Sequence, residues 1–330
     1  MTSWAKFPKT ELHLHLEGAA QPDFIRMLAA EKSVDLGGIF NADGHYDYPD
    51  FLSFLKVYEK ACEVLQGPDD FRRLVEAVLE NSASHGVVYT EIFVSPDFCG
   101  GGDQGAWNEY FAAMCEGAAN AEARHGIIAR FILTSVRHLG PEQAVVTAKV
   151  AVNTDSPMLV GYGMGGDENY LRAADFTSAF DIARDAGMHL TSHAGEMAGA
   201  ASVKDTLDHL RVSRLGHGVR AVEDTELVKR IVDQGIVLEV NPGSNVSLGV
   251  ASDWQSHPIK DLVAAGVKVT VSTDDPPFFH TDMTREYDML NCTFGWGVAE
   301  FDAINQTAAR AAFCDDATRA IVISKLGEAI

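Results

Sequence analysis

The chain has few cysteines and none that pair in sequence: Cys62, Cys99, Cys115, Cys292 and Cys314 are scattered, and no C-x-x-C occurs. That argues against a disulfide framework and against a thiolate zinc ribbon, so a metal would have to be held by histidines and carboxylates. Positive charge is also scarce. Lys and Arg number 26 against 47 Asp and Glu, a net charge of −21. Without a basic cluster interleaved with aromatics, such a chain repels phosphate backbones and anionic membranes, and a polyphosphate nucleotide would lack a local site. No nucleic-acid partner is expected. No apolar run approaches the ~20 residues of a membrane span, so no membrane partner is expected either. The opening "MTSWAKFPKTEL" shows no basic segment leading into an apolar core and cleavage site, which reads as a cytoplasmic protein.

What is present is a rhythm. Eight short apolar or β-branched runs, "TELHLHL", "VVYTEIFVS", "ARFILTSV", "MLVGYGM", "HLTSHAG", "SRLGHGV", "IVLEVNP" and "KVTVSTDD", recur between amphipathic stretches such as "DFTSAFDIARDAG" and "EDTELVKRIVDQG". Several of those stretches end on a Gly suited to a helix C-cap. Strand and helix alternating eight times predict a (β/α)8 TIM barrel, one domain over 1–330, which the length accommodates. Residues 35–85 carry extra helical patterns after the first strand, and an insertion there belongs at the active-site mouth. The last fifty residues are also helical in pattern and are expected to pack outside the barrel.

In "KTELHLHLEGA" the leucines face one way, and Glu11, His13, His15 and Glu17 the other, because strand side chains alternate. A lone core histidine is usually structural. Two on one buried face repel when charged and need partners when neutral, which a metal would satisfy. His193 and Glu196 end the fifth run, His217 the sixth, and Asp274 and Asp275 the eighth. All fall at C-terminal strand ends, where a parallel barrel brings distant residues together, and His with Asp is a credible nitrogen and oxygen set for Zn²⁺. His189 opens a strand and Asp155 lies in a polar loop, so both are assigned to structure. "GYGMGGDEN" lacks the pattern of a phosphate loop, and its glycines suit the approach of a flat base to backbone. H-L-E at His15 to Glu17 echoes the cytidine-type deaminases, but their P-C-x-x-C half is missing.

Taken in order, "ELHLHLEGA", "GYGMGGDE", "SHAGE", "RLGHGVRAVED", "NPGSNVSLGV" and "VTVSTDDPPFF" resemble the adenosine deaminase family of the metal-dependent amidohydrolases, through the whole barrel. The resemblance implies that His13, His15, His193 and Asp274 hold one zinc per chain, with His217 beside the attacking water. It also implies that Glu196 shuttles the proton, that Asp275 and the backbone at Gly166 contact the purine, and that His15 and Glu17 border the substrate.

The residue types suit hydrolytic deamination. Zinc lowers the pKa of bound water toward ~7, His217 and Asp274 can orient that water toward C6, and a glutamate kept protonated in a dry pocket can protonate N1. The substrate is expected to be a small purine nucleoside or base. Nucleoside enzymes usually carry Asp at the position of Glu17, where the resemblance implies a contact to the ribose hydroxyl that Glu17 is expected to make, and adenine deaminases resemble this chain in having "HLEG". "MGGDE", "RLGHG" and "NPGSNVSLGV" look more like the nucleoside enzymes. Three motifs set against one make adenosine or 2′-deoxyadenosine the expected substrate, ahead of adenine and of a larger 6-aminopurine nucleoside derivative. Two readings from other classes stand beside it. A hydrolase of phosphotriesters or cyclic amides would need two metals bridged by a carboxylated lysine, which the strand ends lack. A noncatalytic purine-binding barrel would have no need of Glu196.

Overall fold

The structure, a computed structural model, describes residues 4–327. Its strands are β1 Lys9–His15, β2 Val87–Val94, β3 Ile128–Val136, β4 Leu159–Gly165, β5 His189–Ala194, β6 Arg214–His217, β7 Val237–Val240 and β8 Lys268–Val271. All eight expected runs are strands, pairing in parallel in the order β1 to β8. The seam between β8 and β1 is made beyond the end of β8. His15 N–H donates to Asp274 O at 3.0 Å, and Asp274 N–H donates to His13 O at 3.1 Å. The result is a nearly closed (β/α)8 barrel.

The helices are α1 Pro22–Lys32, α2 Phe51–Cys62, α3 Pro68–Ser84, α4 Gln104–His125, α5 Pro141–Val152, α6 Thr177–Asp185, α7 Ala200–His209, α8 Thr225–Gln234, α9 Pro242–Ser247, α10 Ile259–Ala264, α11 Met283–Phe294, α12 Val298–Ala311 and α13 Asp316–Gly327. Local chemistry bounds them. Asp224 caps α8 by accepting from the Glu226 and Leu227 amides, and Gly235 ends that helix in the left-handed conformation. Before β2, the inserted α2 leans Phe51, Phe54 and Tyr58 over the C-terminal mouth. Tyr46 stacks on Phe278 from the loop after β8, with centroids 3.8 Å apart, which ties the insertion to the rim.

The C-terminal region matches expectation and adds one feature. Its helices flank the barrel from outside, and Phe313, between α12 and α13, covers the barrel floor. Ala308, Ala309 and Ala312 pack with Leu12 and Tyr89, and Phe313 with Phe93 and Ile132. The small alanines allow close approach. The charges of Glu91 and Arg214, buried at this end, need cover: Phe313 N–H donates to Glu91 at 2.6 Å, and the Phe313 ring lies 3.5 Å from the Arg214 guanidinium carbon.

Candidate active site

Four side chains meet at the mouth. The ligand atoms of His13, His15, His193 and Asp274 all lie within 4.8 Å of one another. His13 Nδ1 donates to Glu239 Oε2 at 2.8 Å, and His193 Nδ1 donates to the Met164 carbonyl at 2.9 Å. Each bond spends the ring's proton at Nδ1 and turns the Nε2 lone pair inward. Nε2 of His13 is buried without a hydrogen-bond partner, and Nε2 of His15 and His193 stand 3.1 Å apart. Asp274 Oδ1 lies 3.3 Å from His13 Nε2 and 3.2 Å from His15 Nε2. Lone pairs facing a carboxylate in a dry site fit a cation. Burial opposes charge on His13, yet Asp274 and Glu239 push it up to about 9, while burial and the neighbouring histidines pull His193 well down. Room for the rings comes from two strand glycines, since a Cβ on Gly216 would lie 2.8 Å from His13 Cε1 and one on Gly165 3.1 Å from His193 Cε1.

Asp274 Oδ2 points to a second cluster with His217 and Glu196, and accepts from Ser244 Oγ at 2.7 Å. The tautomer of His217 follows from a chain of donors. Ile259 N–H donates to His257 Nδ1, so His257 Nε2–H donates to Asn245 Oδ1 at 3.1 Å. The Asn245 amide therefore faces His217 with its NH₂, donating to Nδ1 at 3.0 Å. His217 keeps its proton on Nε2, which has no protein partner and lies 3.7 Å from Glu196 Oε1. Burial pulls His217 down to about 3, so this ring is a neutral donor. His217 and Asp274 both have left-handed backbones, with φ of 58° and 66°. Such strain clusters at functional sites.

Glu196 is held from behind. The Glu168 carboxylate accepts from the amides of Gly195 at 2.5 Å, Glu196 at 3.0 Å and Ala198 at 2.8 Å, and from Ser202 Oγ at 2.5 Å. Burial, then the charges of Asp274 and Glu168, push the Glu196 carboxyl well above the usual range. Asp275 is likewise raised well above it by burial and by Asp274, Glu196 and Glu17, and its buried Oδ1 has no partner.

Glu17 lies just past the end of β1, 4% exposed. Tyr58 of α2 donates to Oε2 at 3.0 Å, Oε1 is buried without a partner, and burial pushes the carboxyl up to about 7. Gly166, at φ 100°, forms the cleft wall beside Gly165. His15, Glu17, Gly166, His193, Glu196, His217, Asp274 and Asp275 thus all border one cleft, with His13 behind it. His189 and Asp155 lie outside the cleft, His189 stacked on Phe313 at the floor. Sequence reasoning missed Tyr58, Glu168, Glu239, Ser244, Asn245 and His257. Glu168, Ser244 and Asn245 sit inside the quoted motifs, but spacing does not reveal what a side chain touches.

A parallel barrel with this histidine and aspartate cluster at its C-terminal mouth is the architecture of a metal-dependent amidohydrolase. The chain belongs to the adenosine deaminase family, whose sequence profile matches residues 8–329. An adenine deaminase of Rhizobium leguminosarum bv. trifolii is 48% identical over 96% of this chain and 98% of that one. One of Rhizobium johnstonii is 48% identical over 99% and 100%. Among solved structures, adenine deaminase from Arthrobacter aurescens is similar with a TM-score of 0.89 at 29% identity, covering 97% of this chain and 98% of that one. An amidohydrolase from Burkholderia ambifaria with bound Zn gives 0.88 at 27% identity, covering 98% and 90%. The chain is a hydrolytic deaminase acting on the C–N bond of a cyclic amidine.

The expectation of adenosine or 2′-deoxyadenosine is overturned by these relatives, which are named adenine deaminases. In the motifs that outweighed Glu17, several side chains brace the cluster. Glu168 of "MGGDE" clamps the turn under Glu196, His217 of "RLGHG" faces the ligand cluster, and Ser244 and Asn245 of "NPGSN" orient Asp274 and His217.

Proposed function

We propose that the protein hydrolyses adenine to hypoxanthine and ammonia, using one zinc held by His13, His15, His193 and Asp274. The zinc, once bound, supplies Lewis-acid activation of water at neutral pH. Glu196, kept protonated by its surroundings, donates to N1 and so makes C6 electrophilic. The His217 Nε2–H orients the attacking oxygen, with Asp274 Oδ2 as the acceptor opposite. C6–O forms, one water proton passes by way of Asp274 to the amino group, the C6–N bond breaks to release ammonia, and the second water proton returns to Glu196 while N1 keeps the proton it received. Asp275, protonated, donates to N7, while the backbone at Gly166 meets the ring edge.

The observation that carries the free base over a nucleoside is Glu17. Its buried Oε1 has no protein donor, and adenine has an N–H at N9 where a nucleoside carries its sugar. Tyr58 holds the other oxygen and keeps Oε1 turned to that edge. The test is a spectrophotometric comparison of purified protein on adenine and adenosine. At least tenfold higher kcat/KM on adenine is expected, and equal or better turnover of adenosine overturns the reading.

A further inference from the structure

Beneath the ligand cluster runs a buried ionic chain that the reaction itself does not use. Arg214, whose side chain is 1% exposed, donates from Nε to Glu239 Oε1 at 2.6 Å and pairs through Nη1 with Glu91 Oε2 at 2.6 Å. Nη1 also donates to the Ala311 carbonyl at 3.1 Å, and the Phe313 ring covers the guanidinium. Glu91 Oε1 accepts from Tyr89 OH at 2.7 Å and from the Phe313 amide. At the upper end, Glu239 accepts from Thr191 Oγ1 at 3.0 Å and from His13 Nδ1. One guanidinium is shared by two carboxylates, and the second of these bonds to His13. An unbroken series of contacts therefore links the C-terminal segment on the barrel floor to a ring at the mouth.

We propose that Arg214 is a positioning residue for the metal: it holds Glu239 turned toward His13, and residues 311–313 act on metal affinity through it. The proposal rests on the ligand set given under Proposed function. Without the guanidinium, Oε1 of Glu239 keeps only Thr191 to fix its orientation, and the carboxylate is free to turn away. That turn removes the bond that fixes the His13 tautomer and makes Nε2 a better donor. Lysine does not replace the fork, because two carboxylates, a carbonyl and an aromatic face all use the planar group.

The experiment measures zinc affinity, by competition with a chromophoric chelator, on metal-stripped full-length protein, together with the melting temperature of each metal-free form. The variants are Arg214→Lys, Glu239→Gln, the two combined, and Phe313→Leu. Each of the first two should weaken zinc binding by about 10–100-fold, as loss of a hydrogen-bond partner to a ligand does. The combined variant should be no weaker than the worse single one by more than about threefold, since residues acting along one path are not additive. Phe313→Leu, far from the mouth, should weaken zinc by at least about threefold through loss of the cation–π contact. Melting temperatures that fall while zinc affinity stays within threefold of wild type make Arg214 merely structural and overturn the proposal. If Arg214→Lys does not fold, Glu239→Gln and Phe313→Leu decide by the same criterion. A wild type that binds no zinc overturns the ligand set and this proposal with it, whereas normal wild-type binding with unaffected variants overturns this proposal alone.

Discussion

Removing one hydroxyl, by Tyr58→Phe, tests the reading of Glu17. Phenylalanine keeps the ring against Phe278, 5.9 Å away between centroids, so packing is retained and only the donor to Glu17 is lost. Glu17 then has no side-chain donor to its carboxyl, because Oε1 already lacked one. A hydrogen bond to a charged group contributes about 1.5–3 kcal/mol, which corresponds to roughly 10–150-fold in kcat/KM. The loss should fall mainly on KM, since Glu17 touches the ring edge opposite C6. It should also depend on pH. Burial pushes Glu17 up to about 7 and the Tyr58 bond pulls the other way, so the variant stays protonated to higher pH. The acid limb of kcat/KM should therefore move to higher pH, with the deficit shrinking toward the alkaline end as Glu17 ionises in both proteins. The assay is the loss of adenine absorbance from pH 6 to 9, checked by ammonia release. An unchanged profile would refute the role of Glu17, and a loss in kcat alone would move it into the chemical step.

Three further outcomes follow from the geometry. Glu196→Gln should retain zinc, by elemental analysis, while losing ~10²–10⁴-fold in kcat; loss of the metal would instead make Glu196 a ligand. Glu168→Gln should keep zinc and KM but lower kcat by roughly tenfold or more, because three amides and a hydroxyl that fix the turn under Glu196 lose their charged acceptor; wild-type kcat in a folded variant would rule the clamp out. Glu286, buried against Gly243 and Thr281 behind α9, is pushed up to about 8, chiefly by burial, from an ordinary 4.5. Its contribution to stability is full below about 4.5 and is lost as pH rises through about 8, because the folded state holds the extra proton. Glu286→Gln should flatten the fall in melting temperature over that window, and identical slopes would show that the group does not titrate there.

The strands and the residues that meet at the mouth could be read because each depends on local chemistry. β-branched runs alternate with amphipathic ones, and the histidines and acids sit where parallel strands end. The supports could not be read. His257 reaches His217 only through Asn245, and its loop has no periodicity to mark it. Tyr58 looks like one aromatic of an amphipathic helix until α2 folds over the mouth. The cover of the floor by Phe313 had no signal either, since one aromatic after a helix carries no periodicity. The substrate was misjudged because motifs were counted by number rather than by what they face. Glu17, by contrast, borders the cleft itself with an unpartnered oxygen.

Asp274 joins the first strand to the last through its backbone, and its side chain faces the three histidines. Strand completion and assembly of the reactive centre are therefore one event. A chain whose last strand has not docked has its aspartate in the wrong place, and its histidines have no fourth partner. Such a species has no residual turnover to contribute. In a mixed population, activity counts finished molecules, and metal uptake becomes a check on whether the final strand has docked.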